Sequence, residues 1–523
     1  MNIFSQDEVL KILDAYNPWW KTGMVSRDDL QDMKRLAFYS AKEILIDNEI
    51  RRFVVLSGAR RVGKTTILYQ LINELLNKKI NKENIIYISL DNPVLKFGNL
   101  KEILDIYIQS LMPKGKIYIF LDEIQYSEDW NSWLKVFYDT NKSWRIVATG
   151  SASPALEKGS TESGVGRWVT ISVPTLSFYE YCVLVHEKTK ITGSDIVDAM
   201  KELPKEAKEE LLKAENVDQV ADILISYKSV VEKIRRKIPK DFTVNELEKM
   251  TTKEFKDLIS SLEIIKEDFN RYLLIGGFPE LALSENDNKA QKILREDIVD
   301  KVLKRDIPSL FKIRNITVLE KVFLYLCFES SNIINYSNIS KSLEVSIQTI
   351  QEYISYLEEA NLIYISYPIN KSGTKILKSN PKIYIVDSAI RNAVLMKQNI
   401  LTDTTEMGHV VETAVYRHML SYIQKTTGRI GYYRDKKGKE IDIVSESVKE
   451  NMYVEVKYRE ASVVAKDNPL YEQAEKDDRL FIVNKNDFDS GIITLKNGKK
   501  LVKIPAYAFL FLLGLEEANN IWK

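Results

Sequence analysis

Gly58-Ala59-Arg60-Arg61-Val62-Gly63-Lys64-Thr65 has the composition to grip phosphate. Its two glycines let the backbone curl so that amide N–H groups turn inward. Lys64 can reach the β- and γ-oxygens of a triphosphate, and the Thr65 hydroxyl can ligate Mg²⁺. Asp122-Glu123 supplies the complementary acids, the first to hold Mg²⁺ through water and the second to polarise an attacking water. A second chemically useful set, Asp442, Glu455 and Lys457, lies far down the chain. Carboxylate oxygens are hard ligands suited to Mg²⁺, and a lysine beside them can stabilise charge developing on a phosphate.

These residues need elements to position them. An apolar run over 53–56 reads as a buried strand entering the glycine-rich loop. Ile67, Leu68, Leu71, Ile72 and Leu75 then mark one face of a helix leaving it. Strand, G-x-x-x-x-G-K-T and helix is the context a phosphate loop requires, and the helix N-terminus adds positive potential there. Further strands are expected over 85–90, 117–121 and 145–149, with helices over 100–111 and 130–139 between them. Near-continuous apolar strands alternating with helices imply a parallel sheet covered on both faces. Toward the C-terminus a helix over 407–422 precedes strands over 430–434, 439–445 and 452–458. Residues two apart on a strand share a face, so Glu455 and Lys457 point the same way, and a hairpin brings Asp442 onto them. Arg434, Lys436, Lys437 and Lys439 form a local basic loop able to meet a phosphate backbone.

Bulk composition narrows the classes. A chain of 523 residues suggests three or more domains of about 150 residues each. The formal net charge of +1 announces no nucleic acid, so any such contact requires a local basic patch. Cys182 and Cys327 are too few and too far apart for a disulfide framework or a cysteine zinc site, and three histidines argue against a histidine metal site. The N-terminus has early acids and no signal-length apolar core, and the apolar run over 506–513 is too short to span a membrane. A cytoplasmic protein without membrane contact is expected.

The loop, F-L-D-E-I-Q over 120–125, A-T-G-S-A-S over 148–153, and Gly166-Arg167 ahead of P-T-L-S-F-Y-E-Y together resemble the AAA+ ATPases. More narrowly, the chain is similar to archaeal and bacterial members with a winged-helix segment and a C-terminal restriction-endonuclease-like domain. Asn17-Pro18-Trp19-Trp20 and Gly276-Gly277-Phe278-Pro279-Glu280 match that group. The resemblance implies ATP and Mg²⁺ as cofactors, with Gly58 through Thr65, Thr66, Asp122 and Ser151 contacting nucleotide. Thr65 and Asp122 would hold the metal, and Glu123 would be catalytic. Thr149 or Ser151 would stand beside the γ-phosphate, Ser151 being preferred. Arg167 would stabilise the transferring phosphate from its own or a neighbouring subunit, the latter requiring a homo-oligomer.

The expected fold is α/β throughout: an N-terminal helical segment (1–50), a P-loop AAA+ parallel sheet (51–184), a helical lid or insertion (185–312), a winged helix (313–404) and a nuclease-like α/β domain (405–523). In the lid, helices over 205–215 and 220–237 carry alternating charge and read as a solvated face. The third winged-helix helix offers Gln348, Thr349 and Gln351 but also Glu352, Glu358 and Glu359. Basic residues flank the wing instead, at Lys371, Lys375, Lys378 and Lys382, leaving DNA contact and a structural spacer both open. The D…E-x-K set resembles the PD-(D/E)xK nucleases, which implies Glu412, Asp442 and Glu455 as metal ligands, and Asp442, Glu455 and Lys457 as catalytic residues acting on DNA. The function expected is a Mg²⁺-dependent ATPase controlling that domain. The alternative is a signalling switch or DNA-binding regulator with a silent C-terminal domain.

Overall fold

The computed structural model describes residues 5–521 apart from 48, 97, 128, 151–165, 188–207, 209, 212, 214–228, 312, 314, 371–375, 377–378, 398–399, 425–427, 449, 463–467 and 474–477. Ser151, Lys371, Lys375, Lys378 and nearly all of 205–228 lie outside the described residues. The chain forms two compact units. One comprises Met1–Thr175, Asp300–Leu319 and Glu352–Leu362; the other comprises Leu176–Val299, Glu320–Gln351 and Ile363–Lys523.

The first unit is built on a parallel sheet of β1 (Phe53–Ser57), β2 (Ile85–Ser89), β3 (Ile117–Asp122), β4 (Trp144–Gly150) and β5 (Trp168–Ser172), in the order β2-β3-β4-β1-β5. Strands β1 to β4 are buried along their whole length, which is why they read as unbroken apolar runs. The order sets β4 between β1 and β3, so the ends of these three strands converge on one edge. Ser57 pairs with Gly150, and Leu121 with Ala148. Ligands of open α/β sheets bind at that carboxyl edge. Asn17-Pro18-Trp19-Trp20 serves packing. The Asn17 side chain pairs with the Tyr87 backbone in both directions (2.9 and 2.6 Å), and both indole N–H groups donate to Ile85 O (3.1 and 2.8 Å). These bonds cover β2, the edge strand, whose free backbone groups would otherwise invite pairing.

In the second unit a mixed sheet of β8 (Gly428–Arg434), β9 (Glu440–Ser447), β10 (Asn451–Lys457), β11 (Arg479–Asn484), β12 (Gly491–Thr494) and β13 (Lys500–Pro505) runs β12-β13-β11-β10-β9-β8. Ile441, Val444, Tyr453, Leu470, Leu480, Ile482 and Leu501 form a core on it. The helix Thr404–Gln424 carries Glu412, and the helix Ala506–Ile521 is almost wholly buried. No helix among the described residues is long and apolar enough to cross a membrane.

The segment expected to be a winged helix has the helices Ile316–Phe328, Tyr336–Leu343 and Ile347–Glu359, then β6 (Ile363–Ser366) and β7 (Lys382–Ile385) paired antiparallel. Residues 367–369 extend that ladder onto the edge of β8. Ile369 N donates to Tyr432 O (2.8 Å) and Tyr432 N to Tyr367 O (3.2 Å). The backbones approach so closely that a Cβ on Gly431 would stand 2.1 Å from Tyr367 O. The stretch just after β6 and the C-terminal sheet are therefore joined by backbone hydrogen bonds. Lys382, one of the basic residues expected beside the wing where DNA contact and a spacer were both open, is buried, at 3% exposure, and so is not placed to meet DNA.

Candidate functional site

β1 delivers the chain into the glycine-rich loop at the carboxyl edge. Val173 N donates to Ser57 O (2.7 Å), and the contact is so tight that a Cβ on Gly58 would meet Val173 O at 2.1 Å. Gly63 has φ +95° at the N-cap of the helix Lys64–Asn77, a left-handed conformation that favours glycine. Lys64 follows, 5% exposed, with its ammonium donating to the loop's own carbonyls, Gly58 O (2.9 Å) and Ala59 O (2.8 Å). Burial pushes the Lys64 ammonium below its usual range, against the pull of Glu123 and Asp122.

The end of β3 meets this loop. Thr65 Oγ1 donates to Asp122 Oδ2 (2.8 Å), and so does Tyr87 OH (2.8 Å); Thr149 Oγ1 donates to Asp122 Oδ1. Burial and then Glu123 push the Asp122 carboxyl up, while the hydrogen bonds from Thr149, Thr65 and Tyr87 oppose them. Glu123 sits at φ +55°, a left-handed position that costs a non-glycine residue about 1 kcal/mol or more. Its N–H is tied to Thr149 Oγ1 (3.0 Å) and its carboxylate to Gln125. Thr149 thus touches both acids. The donor set fits Mg²⁺: a threonine hydroxyl and a buried carboxylate share one spot beside a loop of amides.

Three residues that sequence reasoning missed support the loop. Arg35, from the N-terminal segment, donates to Val62 O (2.6 Å) and Pro174 O (2.9 Å). Tyr87 bonds Asp122 as above. Asp306 takes both its contacts from Arg60 Nη1 at 2.9 Å. It ends a π-helical turn, Val302–Asp306. Arg61 is exposed at φ +61°, and Ala59 and Val62 are buried. Thr66 lies in the first turn of the helix.

Arg167 is not brought to this loop. Its carbonyl accepts from Phe53 N (3.0 Å), at the opposite end of β1, and its guanidinium pairs with Asp139 (3.1 Å). The intervening strand of five residues spans about 16 Å, longer than an arginine side chain. The own-subunit role considered for Arg167 is therefore excluded by the strand register.

The C-terminal residues do converge, as a cluster. Asp442 Oδ2 accepts from Val456 N (2.9 Å) and lies 3.7 Å from Lys457 Nζ, which bonds Glu455 Oε1 at 2.5 Å. Asn468 also donates to Glu455 Oε1 (3.2 Å), while buried Glu455 Oε2 has no hydrogen-bond partner among the described residues. Glu412 Oε1 accepts from Tyr384 OH (2.9 Å) and Lys382 Nζ (2.8 Å). Burial and then Asp442 push the Glu455 carboxyl up to about 7. Burial alone would lower Lys382, but Glu412 and then Asp442 outweigh it and raise the ammonium above its usual range. Mg²⁺ does not fit this cluster as it stands, because the Lys382 ammonium lies among the carboxylates that would ligate it. Among the described residues no three His, Cys, Asp or Glu side chains are placed to hold a metal ion. Arg434, in the basic loop, lies 3.4 Å from Glu440.

Residues 50–182 match the model of an AAA domain, while 266–400 and 407–507 match two domains of unknown function (DUF8612 and DUF4143). An uncharacterized protein of Haemophilus influenzae is 26% identical over 419 residues, covering 77% of this chain and 82% of its own. The uncharacterized protein MJ1637 of Methanocaldococcus jannaschii is 24% identical over 434 residues, covering 81% and 80%. Among solved structures, the Orc1 protein of Aeropyrum pernix in complex with DNA is similar at 11% identity and a TM-score of 0.26, covering 69% of this chain and 90% of that one, a likeness too slight to bear on function. The chain thus carries an AAA-type domain, and its core is the parallel sheet whose carboxyl edge gathers Lys64, Thr65, Asp122 and Glu123.

Proposed function

We propose that the chain is a Mg²⁺-dependent ATP hydrolase of AAA+ type whose nucleotide cycle controls a DNA-acting C-terminal domain on the restriction-endonuclease-like plan. The observation that carries the hydrolase reading is the buried Lys64 ammonium. It is held by two neutral carbonyls and stands one residue from the Thr65–Asp122 pair. A buried cation whose hydrogen bonds go to carbonyls, with the Asp122 and Glu123 carboxylates acting on it from a distance, is poised for phosphate oxygens. Loop amides from Gly58 to Thr66 would cradle the phosphates, and Thr65 and Asp122 would hold Mg²⁺, which when bound neutralises charge on the β- and γ-phosphates. Glu123 takes the proton of the attacking water, and Thr149 orients Glu123 through its N–H. Arg167, at the far end of β1, acts on the nucleotide of a neighbouring copy, which makes the working form a homo-oligomer. Phosphate release by wild type and Lys64→Ala tests this: equal turnover sinks the hydrolase reading.

The D…E-x-K order with Glu412 on the preceding helix supports the nuclease-like plan, and the turn of Lys436, Lys437 and Lys439 supports DNA as partner. The winged-helix assignment and the five-segment division of the chain belong to the same proposal, as does a cytoplasmic setting, in keeping with two free buried cysteines. The placement of Lys382 favours the second reading, in which the C-terminal domain binds rather than cuts. Plasmid incubated with the protein and Mn²⁺ separates the two readings, provided that any cutting is compared with Asp442→Ala; retention that weakens with salt, without cutting, supports binding.

A further inference from the structure

We propose that Lys382 is the built-in cation of the C-terminal carboxylate cluster, holding the place a divalent ion would take and closing the cluster to Mg²⁺ and Mn²⁺. The inference deepens the nuclease-like reading above, which is the reason a metal is looked for there.

The ammonium of Lys382 is 2.8 Å from Glu412 Oε1, 3.6 Å from Asp442 Oδ1 and 3.9 Å from Glu440 Oε2. It therefore contacts carboxylates from a helix and from β9 at once, as a bridging metal would. Mg²⁺ needs oxygen ligands at about 2.0–2.1 Å in a nearly octahedral array and does not share them readily with an ammonium. Here Glu412 Oε1 already receives two donors, Lys382 and Tyr384, and Asp442 Oδ2 receives the Val456 amide. A divalent ion at this point would also face Lys457, 3.7 Å from Asp442. Charge is already nearly balanced, with Glu412, Asp442, Glu455 and Glu440 against Lys382, Lys457 and Arg434, the last 3.4 Å from Glu440.

Lys382 has little freedom to leave. Its backbone pairs with Ser366 of β6 and bridges to Ile333, and its side chain is 4% exposed. Lys457, by contrast, has a side chain 19% exposed at the rim of the cluster. The two lysines therefore differ in kind. Lys457 belongs to the D…E-x-K motif and reaches the cluster from its rim, whereas Lys382 comes from a strand outside that motif and is buried among the carboxylates. The cluster so neutralised ties β7, β9, β10 and the helix Thr404–Gln424 into one network.

The test is Mn²⁺ titration of the full chain without nucleotide, read by the electron paramagnetic resonance signal of free Mn²⁺. An Asp122→Asn background keeps the nucleotide site from contributing. The expected result is no bound Mn²⁺ while Lys382 is present. One site should appear on Lys382→Ala and disappear again when Asp442→Asn is added. One Mn²⁺ bound with Lys382 in place, and lost on Asp442→Asn, overturns the proposal. So does a folded Lys382→Ala protein, judged by circular dichroism and melting, that still binds none. If the alanine variant does not fold, Lys382→Gln, which keeps a donor to Glu412 without the charge, is judged by the same two outcomes. The Mn²⁺ signal involves no DNA, so DNA retention by the same proteins reports separately on the nuclease-like reading.

Discussion

Lys64 and Lys382 are both buried ammoniums, and the molecule answers them in opposite ways. Lys64 faces two backbone carbonyls, and burial wins, lowering its proton affinity. Lys382 faces Glu412, Asp442 and Glu440, and the carboxylates win, raising it. A cation left to neutral dipoles retains attraction for an incoming anion, whereas one matched by carboxylates has spent that attraction inside the fold. By this measure the site near residue 60 is open for business with phosphate, and the cluster near residue 450 is closed upon itself.

The largest expected effect breaks the closed side. Lys382→Met leaves half-buried Glu412 without its cation and Asp442 with Lys457 alone, and removing one partner of a largely buried pair costs roughly 3–5 kcal/mol. Denaturant unfolding should show that loss, with partial recovery when Glu412→Gln is added. A loss under about 1 kcal/mol would mean the pairing is not what neutralises the cluster. On the open side, Lys64→Ala should lower ATP turnover by about 10²–10³-fold, the usual consequence of removing one preorganised charge donor, as measured by phosphate release. Next is Arg35→Ala. It removes two hydrogen bonds from a charged donor to Val62 O and Pro174 O, and should lower stability by about 2–3 kcal/mol. A thermal melt showing no change would remove Arg35 from the loop's support.

The open site was largely legible in sequence because its parts are local. Gly58, Gly63, Lys64 and Thr65 sit on one turn, and Asp122-Glu123 ends an apolar strand. Strand limits follow closely, with 117–121 expected and Ile117–Asp122 found. In the cluster, the two-residue period alone placed Glu455 beside Lys457, and the hairpin added Asp442. What could not be read depends on distant chain. Lys382 looked like one more basic residue of a wing, since nothing in its neighbourhood announces burial against Glu412, which lies thirty residues away. Arg35 and Asp306 carry no motif, and they reach the loop only through the folded packing of the first unit. The exclusion of Arg167 from its own phosphate loop needed the strand register, because sequence proximity to P-T-L-S-F says nothing about which end of β1 it meets.

Arg60 is the intermediate case, and it gives the smallest effect and the finest test of the comparison. It belongs to the phosphate loop, yet its guanidinium is already matched, with both Asp306 oxygens at 2.9 Å. Burial pushes the Asp306 carboxyl up and Arg60 opposes it, so that pairing is what favours the charged form there. If matching removes a cation from service, then Asp306→Asn, which keeps the shape and removes the charge, should free Arg60 for the triphosphate. ATP binding, followed by titration of a fluorescent nucleotide, should tighten by about 3- to 10-fold, the worth of part of one charge-assisted hydrogen bond. Arg60→Ala in the same background should reverse the gain, which ties it to the guanidinium and not to a looser loop. Unchanged or weaker binding in Asp306→Asn would show that a carboxylate partner does not withhold a cation from phosphate here. Lys64 and Lys382, which are equally buried, would then no longer differ in their readiness for phosphate.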